Sequence, residues 1–480
     1  MPATAHRPTA PDGPTGQLAS WIAGFTLDQA PPAVQERAKY LLLDDFGCAL
    51  VGAQVPWTRT AVETVTAFGK GDTPIIGWGA TTGAAEAAVL NGACIRALEL
   101  GGDNKVSFSH DMACVIPAML SAAHLDPTIT GARFVGAAIV GCESGTRAAL
   151  GLHGGAALMH RGWHVGPVIG NITAAAAMAN VVGLNAAQTE DALGHGCCQS
   201  FGLGGTQDGA DSQRILAGWS ARNGLHSALL AKAGYTGIPQ VFERSFGGWL
   251  STFGEGHDPD STQIARELGK RWDTLVAAVI KPYSCNGSCD SPLDALFDIN
   301  DKRHLKAAEI ASIDFDMNTA AYEHSWTGPP KRPITFPTAQ LNLAYPVAVA
   351  VLDGEVLPKQ FTPSRLNSDD VWDLIPRINA HIDPDFDKDT DPSHNLQTRA
   401  RIRFTDGKEL DSYRVAPKMV KPGISNDEIV TKFRNVTDGI IDKDRQARIE
   451  QVVLALDKQP NLEGLFELLA PPVKSPFAET

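Results

Sequence analysis

Between Pro31 and Tyr235 the chain presents one segment of helical periodicity after another, built largely from alanine and glycine, with almost no alternation of period two. AVQERAKYLLLDDFGCALVG (33–52) follows the opening pair Pro31-Pro32, which suits the first turn of a helix. The pattern recurs over 83–100, 111–125, 131–150, 165–184, 186–202 and 214–235. Small side chains let helix axes approach closely, so these segments predict a compact bundle whose helices bury one another. The missing alternation gives no support to a parallel α/β sheet.

The texture changes near residue 273. TLVAAVIK (274–281) is a short β-branched run halted by Pro282, which places Lys281 at a strand end. Ser291-Pro292 reads as an N-cap followed by proline at the first helical position. EIASIDFDM (309–317) alternates like a strand, and TRARIRFTDGKELDSYRV (398–415) reads as two strands around Asp406-Gly407. PTAQLNLAYPVAVAVLDG (337–354) predicts a helix interrupted at Pro346. Helical periodicity returns from Ser425. The fold expected is mainly α with an inserted α+β domain: helices from both chain ends (1–275 and 425–480) and a smaller domain over 276–424.

Composition narrows the function. The 41 basic and 54 acidic residues give a net charge of −13, which argues against bulk electrostatic binding of nucleic acid or an anionic membrane. An anionic substrate is compatible with that total only if its site concentrates positive charge locally. The eight cysteines lack the paired spacing of a zinc site, and free thiols in a reducing compartment are the simplest reading. The first twenty residues carry no apolar core of a secretory signal, and no window approaches an 18-residue apolar run, so a cytoplasmic location is expected.

Two motifs mislead. GLGGTQDG (202–209) follows a helix and lacks the spacing of a dinucleotide loop. DPDFDKDTDP (383–392) alternates aspartates like a calcium loop, but its sixth position from Asp383 is Lys388 and its twelfth is His394. Three other segments combine ionisable groups with helix starts or turns: ELGGDNKVSFSHDMACVIPA (99–118) with His110, HRGWHVGPVIGN (160–171) with His164, and VIKPYSCNGSCDSP (279–292) with Lys281. A helix N-terminus beside an imidazole favours an anion, and two histidines with a lysine could polarise a carboxylate and move a proton. Taken singly, each has a plainer reading as a capping, core or solvated residue.

The sequence resembles the MmgE/PrpD family, which includes 2-methylcitrate dehydratases and cis-aconitate decarboxylases, and within it is most similar to the fungal cis-aconitate decarboxylases. VGAQVPW (51–57), ALEL (97–100), VIPA (115–118), GWHVGPVIG (162–170), ARNGL (221–225), ERSFGG (243–248) and IKPYSC (280–285) carry the likeness, in order, along nearly the whole chain. The resemblance implies a helical domain with an α+β lid, a homodimer, a small anionic organic acid as substrate, and no metal or organic cofactor. It also implies proton transfer next to carboxylates, ending in loss of water or carbon dioxide.

Carried over residue by residue, the resemblance makes His110, His164, Lys281 and Glu99 the catalytic set, with Asp103, Gln213, Arg214, Tyr283 and Asn286 binding substrate. There are departures. An Asp-Asp pair common in the family is Gly101-Gly102 here, a family lysine is Gln213, and a histidine of some members is Asn286. Losing a cation weakens a carboxylate contact, which points to a modified or less charged acid. Cofactor-independent decarboxylation of a polycarboxylic acid leads. Dehydration of a 2-alkylcitrate, and a degenerate member acting as a scaffold or binding protein, are the rivals.

Overall fold

The computed structural model describes residues 7–207, 209–389, 394 and 396–477. Eight helices form the body of the first half: α1 (Pro14–Gly24), α2 (Pro32–Gly52), α3 (Ala84–Arg96), α4 (Asp111–Leu125), α5 (Gly131–Leu150), α6 (Val165–Val181), α7 (Ala186–Cys198) and α8 (Leu216–Lys232). Their starts follow local chemistry. Pro32 opens α2, the Thr130 hydroxyl accepts from the Arg133 N–H, and Asn185 with Gln188 forms a capping box.

Helix α6 is the axis of the bundle: every residue from Val165 to Val181 is buried, because α4, α5, α7 and α8 surround it. That enclosure needs small residues. A Cβ at Gly170 would lie 2.6 Å from Cys114 Sγ, and one at Gly141 would lie 2.7 Å from Val115 Cγ2. Any larger side chain at these crossings would separate the helices, so the alanine and glycine content sets the interaxial spacing. Among the described residues no helix is long and apolar enough to cross a membrane.

The second half carries a four-stranded sheet of β1 (Ile310–Met317), β2 (Ile378–Ile382), β3 (Thr398–Phe404) and β4 (Glu409–Arg414), in the order β2-β1-β3-β4. The β1–β2 pair is parallel and the other pairs are antiparallel. Strand β3 buries Thr398, Ala400, Ile402 and Phe404 in strict alternation, and helix α9 (Asp290–Lys302) lies against β3 and β4. Helix α10 (Ala344–Asp353) packs on α9 and β2. Helices α11 (Asn426–Val436) and α12 (Lys443–Leu454) return to the first half, where Lys432 pairs with Asp44 of α2 at 2.7 Å. The molecule is therefore mainly helical with a small mixed sheet.

The structure corrects several local expectations. Helix α1 was not foreseen, since PTGQLASWIAG mixes proline, glycine and polar residues in a short span. The run 274–281 is not one strand: a helical turn (Asp273–Val276) precedes a two-residue strand (Ala278–Val279), with Lys281 two residues beyond. The break in 337–354 falls at Asn342-Leu343, and Pro346 sits in the first turn of α10, where its missing N–H is harmless. Helix α9 begins at Asp290 with Cys289 as N-cap, so Ser291 does not cap it and Pro292 lies in its first turn. Of the aspartate-rich stretch, residues 390–392 lie outside the described residues.

Candidate active site

The site begins with a pairing of two very short strands. Asp103–Asn104 runs antiparallel to Ala278–Val279, which brings the turn after α3 against the segment that carries Lys281. Ser284 then donates its hydroxyl to the Leu98 carbonyl at 2.7 Å, and Gln340 Nε2 donates to the same carbonyl at 2.7 Å. Residues from both halves of the chain are thereby tied to the 98–104 turn.

Glu99 is the hub. It is 4 % exposed, and its backbone adopts φ +52°, a left-handed conformation that costs a non-glycine residue about 1–3 kcal/mol. Its Oε1 accepts from Arg96 Nη2 at 2.9 Å, Arg214 Nη1 at 2.7 Å and Gln213 Nε2 at 3.3 Å, and its Oε2 accepts from Lys281 Nζ at 3.4 Å. Burial would push this carboxyl up, but Arg96, Lys281 and Arg214 outweigh burial and hold it well below the usual carboxylate range. Three cations thus surround one carboxylate. Lys281 is 1 % exposed. Arg214 also donates to Gln340 Oε1 at 3.0 Å.

The two histidines stand beside this cluster. His110 is the N-cap residue of α4 and His164 that of α6, yet neither side chain caps its helix. His110 turns back so that Nδ1 lies 3.0 Å from the Gly102 carbonyl, which can only accept; Nδ1 therefore carries the proton and Nε2 is left as a base. His164 is 5 % exposed, and neither of its ring nitrogens has a partner. The rings are neighbours: a Cβ at Gly166 would lie 3.2 Å from His164 Cε1 and 3.9 Å from His110 Cδ2. Burial, then Arg96, pushes the His110 pKa down to about 4. Burial, then His110 and Arg96, pushes that of His164 down to about 3. Both imidazoles are neutral at neutral pH.

Of the remaining expected residues, Asp103 is half-buried and acts electrostatically on His110. Asn286 donates to the His324 carbonyl at 2.7 Å and caps the following turn through Ser288 N–H. Tyr283 is not brought to the cluster: its hydroxyl donates to Asp294 Oδ1 at 2.9 Å and its ring stacks on Phe297.

Three residues at the site escaped sequence reasoning. His324 is exposed, its Nδ1 lies 2.9 Å from Ser288 Oγ, and Glu99, Lys281 and Asp103 are its electrostatic neighbours. Gln340 lies in an apolar helical run that carries no chemical signal. Arg96 did leave a trace, as an arginine inside the apolar stretch AVLNGACIRALEL with an acid three residues later.

Among the described residues, one cluster converges as metal ligands would: Asp44, Asp45 and Cys48. Lys432 supplies its positive charge, 2.7 Å from Asp44 Oδ1 and donating to the Leu100 carbonyl at 2.8 Å. Burial, then Asp44, pushes Asp45 up to about 8, so this carboxyl carries a proton at neutral pH. A surface cavity of about 660 Å³ lies apart, bordered by Phe25, Leu27, Arg133 and Asn180, and its lining contains neither histidine nor lysine.

The pattern of the MmgE/PrpD N-terminal domain matches residues 16–262, and that of the MmgE/PrpD C-terminal domain matches 283–458. The chain is 35% identical over 472 residues to the cis-aconitate decarboxylase-like protein oryM of Aspergillus oryzae, covering 95% of this chain and 97% of that one. It is 35% identical over 485 residues to the cis-aconitate decarboxylase of Aspergillus terreus, with 98% of each covered. Identity to the human cis-aconitate decarboxylase is 22% over 476 residues, 95% of each chain.

Proposed function

The chain belongs to the MmgE/PrpD family, and from that premise we propose that it is a lyase that decarboxylates a small unsaturated polycarboxylic acid of the aconitate type. The observation that carries this reading is local excess charge. In a chain of net charge −13, Arg96, Arg214 and Lys281 converge on the single carboxylate of Glu99, beside two imidazoles that lack charge. A polyanion supplies the missing negative charge.

Decarboxylation of such an acid moves one electron pair and one proton. The carboxylate on the saturated carbon leaves as carbon dioxide, its bonding pair forms a new alkene, and the old π pair shifts to the far alkene carbon. The carboxylate on that carbon delocalises the charge until a proton arrives there. Lys281 and Arg214 hold carboxylates and stabilise the developing charge. His164 delivers the proton. It is neutral in the empty site, and carboxylates docking beside the ring raise its pKa, so the substrate itself charges its acid. Glu99 orients the cations.

Dehydration of a 2-alkylcitrate is a second reading, favoured by one feature: the free Nε2 of His110 is already a base and can take a proton α to a carboxylate without prior charging. Incubation with cis-aconitate and with 2-methylcitrate, following carbon dioxide and alkene absorbance together, separates the two. Carbon dioxide from cis-aconitate is expected. Alkene absorbance from 2-methylcitrate without carbon dioxide transfers the assignment to dehydration, and no reaction from either overturns both. His164→Ala and Lys281→Ala, checked for folding, should each cut turnover by about 10²-fold or more; unchanged rates overturn their roles.

A further inference from the structure

We propose that Arg96 is a specificity-determining residue whose free guanidinium nitrogen anchors one carboxylate of a substrate carrying at least two. The proposal rests on the polycarboxylate reading above and names a contact that reading does not use.

Arg96 closes the last turn of α3 and is buried. Its Nη2 donates to Glu99 Oε1 at 2.9 Å, whereas Nη1, equally buried, meets no acceptor in the protein. A guanidinium carries five donors and cannot shed its charge, so an empty buried Nη1 leaves an unmet demand for an acceptor. Glu99 cannot meet it. Its Oε1 already accepts from three donors, and its Oε2 faces Lys281. Three cations stand against the two carboxylates of Glu99 and Asp103, so one positive charge is surplus, and the unmet donor identifies it with Arg96.

Independent observations place that surplus where a ligand would sit. Both ring nitrogens of His164 are buried without partners. Arg96 is among the charges acting on His110, His164 and Asp45, so its head group lies within electrostatic reach of all three. An anion among these groups would satisfy Arg96 Nη1 and a ring nitrogen of His164 together. Gln213, where the family resemblance leads one to expect a lysine, donates to Glu99 rather than adding charge, and Arg96 supplies the third cation instead. The site is thereby matched to di- and tricarboxylates and discriminates against monocarboxylates.

The test uses tricarballylate, a saturated tricarboxylate that cannot undergo the allylic shift, titrated calorimetrically into wild type, Arg96→Gln and Arg96→Lys, with turnover of cis-aconitate measured in parallel. Arg96→Gln should bind about tenfold or more weakly, and Arg96→Lys, which keeps the charge but loses the fork, about threefold or more weakly. In turnover KM should rise by a larger factor than kcat falls. Thermal melts verify folding, and if Arg96→Gln does not fold, Arg96→Lys decides. Affinity in the folded variants within twofold of a wild type that turns over the acid overturns the anchor and leaves the lyase standing. A wild type that neither binds tricarballylate nor consumes a polycarboxylate overturns both.

Discussion

Two of the buried ionic clusters among the described residues are built to opposite rules. In the first, Glu143 and Asp273 meet Arg147 and Arg271. Glu143 Oε1 accepts from the backbone and hydroxyl of Thr274, both at 2.9 Å, and Oε2 accepts from Arg147 at 2.8 Å. Arg147 also reaches Asp273, and Arg271 pairs with Asp273 at 2.8 Å. Two acids balance two bases, and only Arg147 Nε lacks a partner. The second cluster sets three bases on Glu99 and leaves Arg96 Nη1 and both His164 nitrogens unmet. A self-neutralised network fastens the 271–274 segment to α5. The unbalanced one is the network that the proposed polycarboxylate would complete.

The largest expected effect breaks the balanced cluster. Arg147→Met takes from the buried Glu143 its one cation and leaves Asp273 to Arg271 alone, and should cost about 3–5 kcal/mol in denaturant unfolding, while the kcat of whatever remains folded stays unchanged. Lys281→Met takes one charge from a surplus, so its stability should stay within about 1 kcal/mol of wild type, or rise, while activity collapses. Equal destabilisation by the two variants would mean that the clusters are of one kind and that surplus charge carries no functional meaning.

What was legible in the sequence divides along the same line. Helix existence was readable because alanine and glycine at α6 crossings report packing locally, and His110, His164 and Lys281 stood in recognisable helix-start and turn contexts. Arg96 and His324 were not selected, because a basic residue in a helix's last turn ordinarily complements the dipole, and only tertiary placement reveals one that is buried and unmet. The strain at Glu99 has no sequence signature. Nor does the reason for Gly101: a Cβ there would lie 2.7 Å from Asp45 Oδ1, whereas one at Gly102 meets its nearest atom, the Val279 carbonyl oxygen, at 3.4 Å. Adding acid to the site is therefore a graded way to sharpen the contrast. Gly101→Asp should lose about 1–3 kcal/mol by overpacking against Asp45, Gly102→Asp should fold nearly normally, and Asp45→Ser should partly rescue the former. Equal melts for the two glycine variants would refute the steric account.

Proton linkage gives the smallest expected effect and distinguishes the site from the histidine-free network. His164 titrates at about 3 in the fold against an ordinary 6.5, so between those values the unfolded chain holds a proton that the native state refuses. Its stabilising share is complete above 6.5 and is lost as pH falls toward 3, because stability declines wherever the unfolded state binds more protons. Asp45 runs the other way. Held at about 8 against an ordinary 3.8, it is protonated in the native state across that window, so its share is greatest in acid and is lost as pH rises. In the wild type these opposing slopes partly cancel, and single variants expose each limb. Going from about pH 7 to about pH 5, wild type should lose about 1–2 kcal/mol relative to His164→Asn, whereas relative to Asp45→Asn it should gain. Parallel urea-unfolding curves for the three proteins would refute the assignment of neutral imidazole and protonated carboxyl to this site, because only those native protonation states give the two variants slopes of opposite sign.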